Sequence, residues 1–567
     1  MRTSGLAGRS AGTTAGFGWS PSWRLAAGGL AALAVVAGTT LAGIPAASAS
    51  TASTASSTET VIVSSTGLLS PVTAVLGVLG SVITQFHLID AVEATIPAAA
   101  QSLLAALPGI SVTPDVSVNV QSATPPESTS PHTPSDDFLQ QTGADKLAAD
   151  GDTGQGVTVA VLDTGIDNLP DFSGRLIGGV DLTGGGNPFE DNYGHGTFVA
   201  GLIAGDGASS GGQYSGEAPG ANLVSIKVAG TSGITDLATL IAGLQWAADH
   251  ENTLGIQVLN ISLGFRPLES TALNPLDQAV QAVWNSGITV VASAGNAGPS
   301  NGTILSPGDD PLVITAGALD DMDQTNVADD EMNDFSSVGP TSPDGWAKPD
   351  LVTSGRSVVS LAAPGSTVYD QNPSARIGSG NFVGSGTSFS AAIVSGAAAL
   401  ILADNPGLTP DQVKARLLGT TNPGPVGNPF VDGHGALNAY AAATAGPMSF
   451  RQPSLLLTLP TLEGQTVSLS PTRGDSTWNA SLWSGTPWSG GTTGSPRGGG
   501  WNGYAWTGSA WNGWAWSGSA WNTGGWTGSA WNSAAWTGSA WNGEAWTGSA
   551  WNGCAWSGSA WNASAWQ

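Results

Sequence analysis

The sequence predicts an α/β domain with a mainly parallel sheet and helices on both of its faces, preceded by a small α+β domain and followed by a repeat tail. Three observations predict it. Short apolar runs of strand length recur between Val157 and Ala318, as expected for strands buried on both faces. Stretches with a helical apolar period separate them. From Trp501 onward a tryptophan returns every five residues.

The chain of 567 residues is too long for one ordinary domain. Residues 1–49 read as a signal peptide: Arg2, Arg9 and Arg24 precede an apolar run from Leu25 to Gly43, which closes at Ala47-Ser48-Ala49. The glycines in that run and the small-residue site favour export with cleavage over an uncleaved anchor, and no later run of spanning length is expected. Residues 50–122 read as a small α+β unit with a split βαβ plan. In it ETVIVSST and DVSVNVQS alternate as strands do, whereas SPVTAVLGVLG and TIPAAAQSLLAALPG are helical and end at glycine. Residues 123–137 are a Pro/Ser/Thr-rich linker of a cleavable kind.

Residues 138–445 form the α/β domain. Its predicted strands are VTVAVL (157–162), LVSIKV (223–228), VLNISL (258–263), ITVVASA (288–294) and LVITAGA (312–318). Leu237, Leu240, Ile241, Leu244 and Ala248 mark one helix face, and Leu276, Ala279, Val280, Val283 and Trp284 another. Thr409, Pro410 and Gln412 spell a capping box with proline at the first helical position. Residues 446–475 read as a β junction, with SLLLTLPTLEGQTVSLS as two strands. Residues 476–567 are the tryptophan tail. Fourteen tryptophans from Trp501 to Trp566 keep the five-residue step, so in a strand those ten apart share a face. A short solenoid, a chain of aromatic stickers and a surface-binding module for sugar polymers all fit this pattern.

Charge excludes some partners. Residues 136–445 hold 33 acidic and 9 basic side chains, against a whole-chain net charge of −26, so the acidity belongs to the α/β domain. Nucleic acid and anionic membranes are disfavoured, because binding phosphate needs clustered Lys and Arg. The single cysteine, Cys554, supports neither a disulfide framework nor a cysteine zinc site. The run 319–334 packs seven acids into sixteen residues; a solvated loop is the favoured reading and a Ca²⁺ loop the other, without EF-hand spacing.

In open α/β sheets ligands sit at the carboxyl ends of the strands, so polar residues there are the candidates for chemistry. VAVLDTG places Asp163 directly after a strand. DNYGHGTFVAG places His195 between two glycines at the mouth of a helix. VVASAGNAG places Asn296 just past a strand. GSGTSFSAAIVSGAAALIL (384–402) delivers Ser388 to the first turn of an apolar helix, where unpartnered N–H groups stabilise a nearby negative oxygen. Alone, Asp163 and Asn296 could be turn formers and Ser388 a helix cap. Together they supply an acid, an imidazole, a neutral donor and a hydroxyl, each at an element end.

The strings VAVLDTGID, GHGTFVAG, NISLG, ASAGN and GTSFSAA, in this order, resemble the subtilisin-type serine endopeptidases, the subtilases. The resemblance covers about residues 136–445 and extends to FSSVGPTSPDGWAKPDLVTSG (335–355). It implies a subtilisin-like fold, protein or peptide substrates, and Asp163, His195, Ser388 and Asn296 as active residues. By the same resemblance, Ser262, Leu263 and Gly264 would pair with the substrate backbone. Ser293, Ala294 and Gly295 would wall the first specificity pocket. Residues 50–122 would be an inhibitor-like prodomain that the mature enzyme sheds. No cofactor is implied for the chemistry. Ser385 departs from the pattern where many members have Asn, as do Ala392 and Ile393 where a Pro-His pair is usual. The expectation is a secreted endopeptidase that needs no cofactor for its chemistry, has room for a structural Ca²⁺, and contacts cell wall or polysaccharide through its tail. The alternative is a cell-surface or polysaccharide-binding protein whose tail is the functional part.

Overall fold

In the computed structural model, residues 57–65, 73, 76, 77, 80–107, 109–120, 137–267, 269–322 and 324–448 are described, together with the strand backbones between 503 and 563. The signal peptide, all of the linker but residue 137, most of the first predicted helix of the small unit and both predicted junction strands lie outside the described residues.

The small unit contains β1 (Thr58–Ser65), β2 (Ser81–Phe86), β3 (Ala91–Pro97), α1 (Ala98–Ala105) and β4 (Ile110–Pro114). Its sheet is antiparallel in the order β2-β3-β1-β4, the split βαβ plan. Val61, Val63, Val92, Ala94 and Ile96 alternate inward to meet Ala100 and Leu104 of α1. DVSVNVQS does not close this sheet, because ISVTP does so as β4. The next strand, β5 (Ser117–Val120), pairs instead with the α/β domain.

In the α/β domain, β6 (Thr158–Asp163), β7 (Leu176–Asp181), α2 (His195–Ala204), β8 (Asn222–Lys227), β9 (Ile234–Asp236), α3 (Leu237–Leu254), β10 (Ile256–Ile261), β11 (Leu263–Gly264), α4 (Pro275–Ser286), β12 (Thr289–Ser293), β13 (Ile314–Asp320), β14 (Glu331–Met332) and β15 (Leu351–Ser354) follow. The sheet runs β14-β13-β12-β10-β6-β8-β7, with β15 beside β13. All of these pairings are parallel except that of the short β14. The predicted mainly parallel α/β sheet is therefore present. Strands β6, β12 and β13 are buried along their whole length, which is why they read as unbroken apolar runs. Two parallel strands, β7 and β15, were not anticipated. LIGGVD carries two glycines and lies at the sheet edge, and LVTS is only four residues long.

Helix ends follow their local chemistry. The Asp236 side chain accepts from Thr239 N–H at the start of α3, and Asn274 caps α4 with Pro275 in its first turn. Helix α6 (Pro410–Gly419) opens with the predicted Thr409/Gln412 box. Helix α5 (Thr387–Asp404) packs on β10, β12 and β13 and is buried from Thr387 to Leu402. Contrary to expectation, α5 is long and apolar enough to cross a membrane, but 89% of its apolar window is buried inside the domain.

In the tail, backbone strands β16 (Gly503–Ala510), β17 (Gly513–Thr523), β18 (Trp526–Ser529), β19 (Trp536–Gly543), β20 (Trp546–Gly553) and β21 (Trp556–Ala563) form one parallel sheet. Neighbours in sequence pair ten residues on, as in Trp506 with Trp516, Trp516 with Trp526 and Trp536 with Trp546, and the end of the Gly513–Thr523 strand also pairs twenty on, Ala520 with Ala540. Two five-residue units thus make one rung.

Candidate active site

Strand β6 lies between β8 and β10, so the chain winds outward from it in both directions, and its carboxyl end is where such a sheet opens a crevice. Asp163 ends this strand and is wholly buried. Its two carboxylate oxygens lie 2.8 and 2.9 Å from His195 Nδ1. His195 is the first residue of α2. The flanking glycines have separate reasons. Gly194 has φ +105°, and a Cβ at Gly196 would sit 2.1 Å from the Gly165 carbonyl oxygen.

Asp191 was missed by sequence reasoning. This buried carboxylate accepts from Gly194 N–H (2.7 Å), Thr197 N–H (2.8 Å) and the Thr164 hydroxyl (2.8 Å). Thr164 Oγ1 in turn accepts from Gly196 N–H. Asp191 and Thr164 thereby tie the turn after β6 to the helix end bearing the imidazole. Burial pushes the Asp191 carboxyl above its ordinary range against these bonds, and the nearby Asp163 adds to the push. The available signal was an acid three residues before a Gly-His-Gly helix start, where Asp caps N–H groups.

Ser388 is buried in the first turn of α5. Its hydroxyl donates to the Ser262 carbonyl at 3.0 Å, and the Ser262 hydroxyl donates to the Ser388 carbonyl at 3.0 Å. His195 Nε2 is buried and has no hydrogen-bond partner among the described residues. The imidazole packs against Phe389, the residue after Ser388, with ring centroids 5.7 Å apart. Asn296 Oδ1 accepts from Thr387 N–H and from the Thr387 hydroxyl, both at 2.9 Å, which turns the amide NH₂ of Asn296 away from Thr387. Asp163, His195, Asn296 and Ser388 are thus gathered at one rim of the sheet, through direct bonds or through the immediate neighbours of Ser388.

The remaining candidates surround this rim. Leu263 and Gly264 form β11, which pairs with β5. Ser293 and Ala294 are buried at the end of β12, and Gly295, with φ +106°, lies where a Cβ would meet Leu305. The departures at Ser385, Ala392 and Ile393 are accommodated without a break in α5. The Ser385 hydroxyl accepts from Ser357 N–H at 3.0 Å and holds that residue at φ +53°, while Ala392 and Ile393 are core residues. Beside His195 opens a cleft of about 220 Å³, with Phe198, Val368, Tyr369, Phe382 and Phe389 in its lining.

The small unit docks beside this rim. Asp115 accepts from Ala238 N–H, and the Val116 carbonyl from Leu237 N–H, at the start of α3. The Thr113 hydroxyl donates to Glu269 at 2.6 Å, and the His87 and Leu88 N–H groups both reach Gln245 Oε1. Burial raises the Asp115 carboxyl to about 6 despite the helix N–H donor.

Among the described residues no group of three or more His, Cys, Asp or Glu side chains is placed to hold a metal ion. In the acidic run, Asp320 pairs with Arg356 at 3.1 Å and Asp330 accepts from Gln141 at 3.0 Å. Burial, with Asp321, Asp320 and Asp329 nearby, raises the Asp330 carboxyl to about 7. A carboxyl whose pKa is higher folded than unfolded contributes stability that is complete below the unfolded value and lost as pH rises through 7. Asp330→Asn is therefore expected to raise the melting temperature at pH 8 and to change it little at pH 4. Thermal unfolding at the two pH values checks this.

The profile described as the subtilase family matches residues 154–439. Serine protease AprX of Bacillus subtilis (strain 168) is 44% identical over 293 residues, spanning 51% of this chain and 66% of AprX. Subtilisin DY of Bacillus licheniformis is 37% identical over 304 residues, spanning 53% of this chain and 95% of that protein. Among solved structures, fervidolysin from Fervidobacterium pennivorans, described as a keratinolytic enzyme related to subtilisin, matches with a TM-score of 0.55. The match covers 71% of this chain and 63% of fervidolysin at 23% identity, a likeness of fold.

Proposed function

The chain belongs to the subtilase family of serine endopeptidases, and from that premise we propose that it is an exported enzyme that hydrolyses peptide bonds through an acyl-enzyme on Ser388. The observation that carries the proposal is the Asp163–His195 pair, buried and bonded through Nδ1, with Nε2 left open beside the turn that bears Ser388. A neutral imidazole whose Nδ1–H is held by a carboxylate presents Nε2 as the base. Rotation of the Ser388 side chain away from the Ser262 carbonyl brings its proton to Nε2 as the oxygen attacks a substrate carbonyl. The imidazolium, stabilised by Asp163, then returns the proton to the leaving amine, and water repeats the sequence to free the acid. The Asn296 amide and the Ser388 backbone N–H are the donors assigned to the oxyanion.

A serine-directed organophosphorus reagent checks this directly: stoichiometric labelling at Ser388 is expected, and labelling elsewhere with full hydrolysis would overturn it. The small unit is assigned the part of an intramolecular inhibitor, supported by its docking at α3 and beside β11. The tail is assigned a cell-wall or polysaccharide contact, supported by the ten-residue rung in which tryptophan positions pair with tryptophan positions. Retention on insoluble polysaccharide is expected to vanish when residues 476–567 are deleted, with hydrolysis unchanged.

A further inference from the structure

The cleft of about 220 Å³ beside His195 is walled by aromatic rings. Phe198 and Phe389 lie 4.3 Å apart by ring centroid, and Phe382 lies 6.1 Å from Tyr369. The three phenylalanines are at most 7% exposed, and the exposed side chains in the lining are the amides of Gln371 and Asn372. No Asp, Glu, Lys or Arg is among the lining residues. The wall is fixed to the turn that bears the imidazole, because Thr367 N–H donates to the Asn192 carbonyl at 3.0 Å and Val368 N–H to the Tyr193 carbonyl at 2.9 Å. Arg376 lies over the Tyr369 ring at 4.0 Å and donates to the Tyr369 carbonyl at 2.7 Å, which holds that ring in place. Gly384 keeps the space open: a Cβ there would meet the Phe389 ring at 2.7 Å and the Phe198 ring at 3.2 Å.

The proton's route gives the cleft its place relative to the cleaved bond. His195 Nε2, which has no hydrogen-bond partner among the described residues, is the atom that returns the proton to the leaving amine. The residue that departs with that amine therefore begins at the imidazole, since its Cα is bonded to the protonated nitrogen. Residues 262–264 and 293–295, assigned to the acyl side, contribute nothing to the lining of the cleft, whereas His195 does. Both observations put the cleft on the side of the leaving group.

We propose that this cleft receives the side chain of the residue that leaves with the amine, and that Phe198, Val368, Tyr369 and Phe382 set a preference there for a bulky apolar or aromatic residue. This rests on the proposed hydrolase reading and adds to it a selection made beyond the cleaved bond. A ring entering the cleft exchanges water for the faces and edges of other rings. A charged side chain would shed its hydration with no Asp, Glu, Lys or Arg beside it.

Acyl transfer tests it. The enzyme produced from the full chain is acylated with a peptide p-nitrophenyl ester, and the free amino acid amides of Phe, Gly, Lys and Asp compete with water for the acyl group. The amine nitrogen bonds to the acyl carbon as the bond to the Ser388 oxygen breaks, and His195 carries the amine proton to that oxygen, so the acceptor occupies the place of the leaving residue. The ratio of transfer products is read within one enzyme and is independent of how much of it is active. Transfer to Phe amide is expected to exceed transfer to Gly, Lys or Asp amide by roughly tenfold. In Val368→Asp the Phe-to-Lys ratio is expected to fall by about tenfold, because the new carboxylate answers the ammonium. Equal transfer to Phe and Gly amides in the unaltered chain, or an unchanged Phe-to-Lys ratio in Val368→Asp, overturns the inference. If Val368→Asp forms no acyl-enzyme, Tyr369→Ala decides: a fall of at least about threefold in the Phe-to-Gly ratio supports the inference, and an unchanged ratio overturns it. Nitrophenol release without discrimination among the amides leaves the hydrolase reading standing and removes this one. If the ester gives no acyl-enzyme and Ser388 takes no label, both fall.

Discussion

Replacement of Ser388 by alanine is expected to lower kcat for any peptide substrate by about 10⁶, the scale of the corresponding loss in subtilisin. The neighbouring hydroxyl does not replace it, because Thr387 Oγ1 is committed to Asn296 and to Gly295 N–H. Asn296→Ala is expected to lower kcat by about 10²–10³ with KM little changed, since its amide acts on charge that develops only in the transition state. Thr387 would keep its backbone position at the start of α5, so the variant tests the donor more than the fold. Single-turnover rates on a chromogenic peptide separate the two effects, and full activity in Ser388→Ala would end the hydrolase reading.

Asp350→Asn is expected to destabilise the fold by about 3–5 kcal/mol, because removing one partner of a buried ionic group leaves charges uncompensated. The Asp350 carboxylate is 2% exposed and lies 2.6 Å from Lys348 Nζ and 3.3 Å from Lys414 Nζ, both lysines being fully buried. The ammonium groups also donate to main-chain carbonyls, Lys348 to Val313 and Lys414 to Pro311 and Val313. Those carbonyls solvate the charge but do not neutralise it. Burial opposes ionisation of Asp350, yet the two lysines outweigh it and hold the carboxyl below its ordinary range. Burial likewise pushes Lys414 down to about 7, against the pull of Asp350. Without Asp350 that pull is gone and Lys414 gives up its proton more readily, so the loss in the variant is expected to be smaller at pH 9 than at pH 6. A fall of roughly 10 °C in melting temperature at pH 6 is the measurement to look for.

Much of the site was legible because its residues sit at element ends, and element ends are written in local chemistry. Asp163 follows a fully buried strand, His195 stands between two glycines that the backbone requires, and Ser388 opens a helix made of small residues. Asp191 was less visible, since an acid three residues before a helix start suggests a cap, while its bonds to Thr164 and Thr197 exist only once the turn has closed. The cleft beside His195 was not legible either. Phe198, Phe382 and Phe389 come from three separate elements and share a wall only after α2, α5 and the strand before Ser388 have packed. The edge strand LIGGVD and the four-residue LVTS were missed because strand pairing is non-local: each is held by a neighbour distant in sequence.

Alternation of apolar runs with helical periods determined by itself that a parallel sheet would form, and capping residues determined where several helices begin, because burial and unpartnered N–H groups act on every sequence alike. The destination of β5 was decided only by tertiary structure. Its pattern of alternating valines suits either the small sheet or the edge of the large domain, and β4 had already taken the place beside β1. What remained for Val118 and Val120 was the gap between β9 and β11, where both main-chain pairing and apolar burial are satisfied at once.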